Sequence, residues 1–150
     1  MVFVYATSET VAAAWAATCP GITADMVDPV LPRDSASWTA SGFVTVTVAG
    51  GSSEANFRLG APVITYQCWA NQPGTDRPPW EKARNLAEAI RAGTYVSNEL
   101  ALVLPADEHA TVYTAYVVGE PRRVYGDNGD WAIVTLDVVL NWSPFIPSTP

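Results

Sequence analysis

Gly42–Gly51, GFVTVTVAGG, decides how this chain is read. Val44, Val46 and Val48 alternate with Phe43, Thr45 and Thr47, which is the period of a strand over Phe43–Val48, and Gly50-Gly51 reads as its turn. A second run, PVITYQCWAN at 62–71, predicts a strand over Pro62–Trp69. There Val63, Thr65, Gln67 and Trp69 alternate with Ile64, Tyr66 and Cys68. Neither face carries charge, so this strand is expected to be central and covered on both sides. The connection Ala49–Leu59 is polar and rich in Gly and Ser. Its eleven residues are many for a hairpin, and such loops often make contacts. Gly50, Gly51, Ser52, Ser53, Glu54 and Phe57 are therefore candidate interface residues.

Downstream, PPWEKARNLAEAIRAG at 78–93 opens a helix. Pro79 suits the first helical position, where a missing N–H is harmless. Trp80, Ala83, Leu86, Ala87 and Ile90 share one face. Glu81–Arg84 and Arg84–Glu88 are spaced for ion pairs on the other, and Gly93 reads as a left-handed stop. Upstream, Thr7 or Ser8 caps a helix running to about Thr18, with Val11, Ala12, Trp15 and Ala16 as its apolar stripe. Residues 22–41, with Pro29 and Pro32, read as an extended connection with little regular structure. The segment MVFVY at 1–5 fits either a strand or an ordered arm.

Two long strands, about Thr111–Tyr125 and Trp131–Trp142, follow an apolar segment at Leu100–Leu104. Asn128-Gly129 between them signals a type I′ hairpin. That register sets Tyr125 opposite Ala132 and Glu120 opposite Asp137, an unfavourable pair of like charges. Pro121 is expected to interrupt the ladder there with a bulge or edge irregularity. The sum is a single α+β domain over residues 1–150. It has a mostly antiparallel sheet of four to five strands with two helices on one face. The core covers about 8–142 and an extended Pro-rich tail covers 143–150.

A chain of 150 residues buries roughly two-thirds of its unfolded surface. Only 15% of residues are charged, against about a quarter in a typical domain. Much of the surface must then be neutral or apolar, which points to assembly into an oligomer. The six Trp and six Tyr agree, because both types are enriched at interfaces. Net charge is −7 and the one adjacent basic pair is Arg122-Arg123, so tight binding to a phosphate backbone is not expected. No apolar run is long enough to span a membrane. The apolar stretch Val11–Ala17 has no Lys or Arg before it, so no secretory signal is expected and the chain reads as cytosolic when made.

Candidate chemistry is sparse, and neither a catalytic set, a metal site nor a cofactor is expected. The single His109 follows Asp107-Glu108, with no nucleophile or further ligand at a recognisable offset; it reads as a solvated loop residue. Asp127-Asn128-Gly129-Asp130 lacks the ligand spacing of a calcium loop. Gly50-Gly51-Ser52-Ser53 lacks the Lys and the following helix of a phosphate loop. Cys19 and Cys68 form no metal motif and read as two buried thiols in preference to the alternative, a structural disulfide. The aromatic residues could form a stacking platform, but core and subunit packing accounts for them better with so little positive charge nearby. Arg122 and Arg123 suit salt bridges between subunits or plain solvation.

The order of these pieces resembles the tail terminator (tail-completion) proteins of long-tailed bacteriophages. The likeness runs through the Ala14-Trp15-Ala16 helix, the strand ending in Gly50-Gly51 and the strand ending in Trp69-Ala70. It continues through the helix with Glu81, Ala83, Leu86, Ala87 and Ile90, then the hairpin with Gly119-Glu120-Pro121-Arg122-Arg123 and Trp131–Leu140. It spans about residues 8–142; Ala49–Leu59 and the Pro-rich C-terminus lie outside it. The resemblance implies a virion protein at the head-proximal end of the tail, forming a hexameric ring on the tail tube. Such a ring ends tube growth, offers a surface to the head-completion or connector protein, and lets DNA pass through its hole without specific binding. Ala49–Leu59, or the hairpin tip with Asp127 and Asn128, would then touch the tube. Another head–tail connector component and a soluble ligand-binding domain are the competing readings.

Overall fold

The computed structural model describes residues 7–53, 60–74, 77–96, 99–104, 109–124 and 131–144. Its helices are α1 (Ser8–Ala16) and α2 (Trp80–Gly93). Its strands are β1 (Val27–Asp28), β2 (Phe43–Ser53), β3 (Gly60–Asn71), β4 (Leu100–Val103), β5 (His109–Val124) and β6 (Trp131–Ser143). They form one six-stranded sheet in the order β1-β2-β3-β6-β5-β4. All neighbours are antiparallel except β1 and β2. The α+β class is as expected, while the strand count and the parallel pair correct the sequence reading. The difference arises in residues 22–41, where short 3₁₀ turns at Ala24–Met26 and Ser35–Ser37 frame β1. A two-residue strand has too short an alternation to show as a pattern.

Both helices lie on one face of the sheet. Thr7 caps α1 by accepting a bond from the Thr10 amide at 3.2 Å. Val11, Ala12, Trp15 and Ala16 are its buried stripe. Tyr66 ties α1 to β3: its hydroxyl donates to the Ala12 carbonyl at 2.8 Å and its ring meets Trp15 at 6.0 Å. On α2 the buried face is Ala83, Leu86, Ala87 and Ile90, at helical spacing. The ion pair formed on this helix is Glu88–Arg91 at 3.8 Å, not the pairs through Arg84. The outermost strands, β1 and β4, both touch α1, so the sheet curls around its helices.

Gly93 is not a left-handed stop. It lies within α2, and the cap at Thr94 has right-handed helical geometry. Glycine is required there for space: a Cβ would stand 2.5 Å from the Cys19 sulfur. Gly50-Gly51 is not a turn either. β2 runs on to Ser53 through a register shift between Val48 and Gly50, and Gly51 (φ +97°) packs so closely on β3 that a Cβ would run into the Ala61 carbonyl. The predicted loop Ala49–Leu59 is thus partly strand. Residues 54–59, the hairpin tip at 125–130, residues 1–6 and the tail at 145–150 lie outside the described residues.

The β5–β6 ladder keeps the expected register at its start, with Val124 opposite Ile133 and Arg122 opposite Thr135. Two residues, Glu120 and Pro121, then fit against Leu136 alone, and Gly119 faces Asp137. This bulge removes the Glu120–Asp137 confrontation. It also brings Arg122 to 3.1 Å from the Asp137 carboxylate. β3 is central in the strand order but is not covered on both sides. Its helix-facing residues Ile64, Tyr66 and Cys68 are fully buried, whereas Val63, Thr65, Gln67 and Trp69 are half-buried. His109 is exposed and starts β5 opposite Val103, so it is not a loop residue.

Candidate assembly interface

The sheet is unfinished at both sides. β1 covers β2 only at Val44 and Thr45, and β4 covers β5 only from His109 to Val112. Among the described residues, Val46–Ser53 and Tyr113–Val124 therefore have no strand on their outward side. Open edges present unpaired N–H and C=O groups that template pairing with another chain. Here the edges are shaped and not flat. β5 has 16 residues against 13 in β6, and the excess is absorbed in three register shifts. Pro121 supplies no N–H, and Arg122 and Arg123 are exposed beside it. Such features discourage indiscriminate strand addition while leaving side chains for a specific contact.

The exposed large apolar side chains are concentrated at one side. Tyr95 (72%), Val96 (64%), Val103 (68%), Tyr116 (49%), Val118 (53%) and Val124 (37%) all belong to the end of α2, to β4 or to β5. Val30 and Val48 are exposed at the β1–β2 side. Scattered single residues of this kind are normal, whereas a contiguous group marks an interaction surface. From Tyr113 onward no β5 residue is fully buried, because α2 covers this strand less than it covers β3 and β6.

The sequence-predicted residues divide between these edges. Gly50 and Gly51 lie on the open part of β2, with Ser52 and Ser53 at its end, while Arg122 and Arg123 lie on the open part of β5. They do not converge on one patch. Glu54, Phe57, Asp127 and Asn128 are outside the described residues. Tyr95, Val96, Val103, Tyr116 and Val118 were missed. The signal for Tyr116 and Val118 was present in the alternation of β5, but alternation does not say which face lacks a cover.

Charge at the β5 edge is ordered. Asp137 accepts a bond from the Thr65 hydroxyl at 2.7 Å and pairs with Arg122. Gly119 makes room for both, since a Cβ there would collide with the Asp137 carboxylate. The Arg123 guanidinium lies 4.9 Å from the centre of the Trp80 ring, a cation–π distance.

Other regions offer less for chemistry. Trp38, Phe43, Trp69 and Trp131 pack on one another, with Trp38 at 5.1 Å from Trp131. Trp69 also donates to the Thr45 hydroxyl at 2.9 Å. These rings fill a corner of the sheet face instead of offering a free stacking surface. A cleft of about 690 Å³ lies at the start of α2, between Asn71, Pro78, Pro79, Trp80 and Lys82. Lys82 there donates to the carbonyls of Thr39 and Ala40, each at 2.6 Å. Cys19 and Cys68 are unpaired buried thiols. Burial pushes Cys19 up to about 12 and Cys68 further, so neither is a ready nucleophile. Among the described residues there is no group of three His, Cys, Asp or Glu placed to hold a metal. No described helix is long and apolar enough to cross a membrane.

No family model matches the sequence, and no curated protein matches it. A solved virion chain is similar. It comes from a structure described as the virion of a native gene transfer agent (GTA) particle, is 16% identical, and aligns over 91% of this chain and 87% of its own length with a TM-score of 0.46. That likeness is too slight to assign a role.

Proposed function

We propose that this is a structural virion protein whose copies form a ring, hexameric as the resemblance to tail terminator proteins implies. The ring caps a phage tail tube, ends its growth and presents a surface to the head-side connector. The protein acts by contact and not by catalysis. The observation that carries this reading is the unfinished sheet, whose two edges are open, with most of the exposed apolar side chains at one of them. Two unlike edges on one molecule favour head-to-tail contact, which closes into a ring when the rotation is right. The low share of charged residues agrees with a surface meant to be covered.

Electron microscopy of purified protein, alone and mixed with tail tubes, tests the reading. Rings at tube ends and arrested tube growth are expected; a monomer that ignores tubes would exclude it. Replacing residues 54–59 by a short Gly-Ser turn should preserve the fold but impair capping. Normal tail lengths in that variant would remove the loop from the mechanism.

One observation favours a ligand-binding domain instead. The Asn71 side-chain oxygen is buried without a partner beside the cleft at the start of α2. Under that reading Asn71→Leu abolishes small-molecule binding by a monomer.

A further inference from the structure

We infer that successive copies meet with the lower end of β5, Arg122–Val124, against the β1 end of the next copy, centred on Asp28. This rests on the ring reading above and names the surfaces that make each joint. The cross-strand pairing places these groups at one level. Asp28 faces Thr45, Thr45 faces Gln67, Gln67 faces Thr135, and Thr135 faces Arg122. A single row across the sheet thus begins with a carboxylate at one edge and ends with a guanidinium at the other. A pure rotation adds no shift along its axis. Copies related by rotation about an axis along the strands therefore bring Arg122 of one beside Asp28 of the next.

Strand direction agrees with this placement. β1 runs parallel to β2, and β2, β3, β6 and β5 alternate. A neighbour's β1 set beside β5 continues the alternation as an antiparallel pair, the more stable kind. The charges are complementary. Asp25 and Asp28 are exposed at the β1 end, and Arg122 and Arg123 are exposed at the β5 end. Arg122 uses one terminal nitrogen on Asp137 and the other reaches the Glu120 carbonyl only at 3.5 Å, which leaves donors for a second carboxylate. The nearby Glu120 falls between the levels of Thr45 and Thr47, where the β2 edge Val46–Gly51 carries no charge, so it meets no acid. Val124 and Val30 add exposed apolar area on the two sides. An exposed ion pair contributes little by attraction, so the charges fix register while apolar contact supplies affinity.

The test is a charge exchange read by mass photometry and sedimentation on the full chain, with thermal melts confirming folding. Asp28→Arg should weaken self-association roughly tenfold or more, because like charges now face each other across the joint. Arg122→Glu in the same chain should restore it, with Asp137→Asn present in both variants so that the new acid has no carboxylate beside it. Rings that form equally well with Asp28→Arg, or a double variant as weak as the single one, would overturn the joint while leaving the ring reading standing. A wild-type chain that never associates, even with tail tubes present, would overturn both.

Discussion

Gly93 sits against the thiol of Cys19, and that contact joins the end of α2 to the end of α1. A methyl group there must displace the sulfur, which is 2.5 Å from the Cβ position, with Trp15 at 3.6 Å. Gly93→Ala should therefore destabilise the fold by about 1–3 kcal/mol through overpacking. Alanine's better helix propensity, worth about 1 kcal/mol, offsets only part of that. Adding Cys19→Ala should recover most of the loss, and urea melts of the four variants would measure the coupling. The thiols also make the fold sensitive to base. The folded value of Cys19 is raised above its ordinary 9.0 to about 12, so the folded state favours the neutral thiol. That contribution is complete below about pH 9 and fades as pH rises toward 12. Melts across pH 8–11 should show a falling midpoint, and a Cys19→Ala variant should fall less steeply. Tyr66, fully buried with its hydroxyl on the Ala12 carbonyl, should cost about 1 kcal/mol when changed to Phe.

β5 is the element on which the most depends. Its three register shifts fit a long strand onto a shorter neighbour and turn Arg122 toward Asp137. Gly119→Ala places a methyl group against that carboxylate. It should break the Arg122–Asp137 pair, with a loss of roughly 1–3 kcal/mol and weaker self-association, both read on the purified protein. Pro121 announced an interruption of this ladder, and the clash of Glu120 with Asp137 gave it a reason. The exact partner of Asp137 could not be read, because a bulge shifts register by one without marking which residue is extra. α2 was legible nearly to its ends, since four buried residues at helical spacing outweigh any competing pattern. β1 was not, because two residues carry no periodicity. The exposed Tyr116 and Val118 of β5 were in plain view, yet nothing local says that α2 stops short of covering them.

For the molecule as a whole, charge and shape should act together. With a net charge of −7 per copy, the proposed ring would repel phosphate within about one Debye length, roughly 8 Å at physiological salt. Gel shifts with duplex DNA at physiological salt should show no retained complex; a stable complex would contradict a lumen that lets DNA pass. Self-association driven by the apolar β5 edge should survive added salt better than the register set by Arg122 and Asp28. The wild-type and Asp28→Arg chains should therefore converge in affinity as salt rises, which sedimentation would follow.

Composition and periodicity were enough for the class of fold, both helices, the long strands and the burial of both thiols. These depend on which residues avoid water, and that preference is written locally. The six-strand order, the close contact of Gly93 with Cys19 and the pairing of Arg122 with Asp137 required distant segments to meet. So did the row linking Asp28 to Arg122, because it runs across five strands separated by most of the chain. How much of β5 stays exposed depends on how far α2 reaches across the sheet, and packing alone sets that.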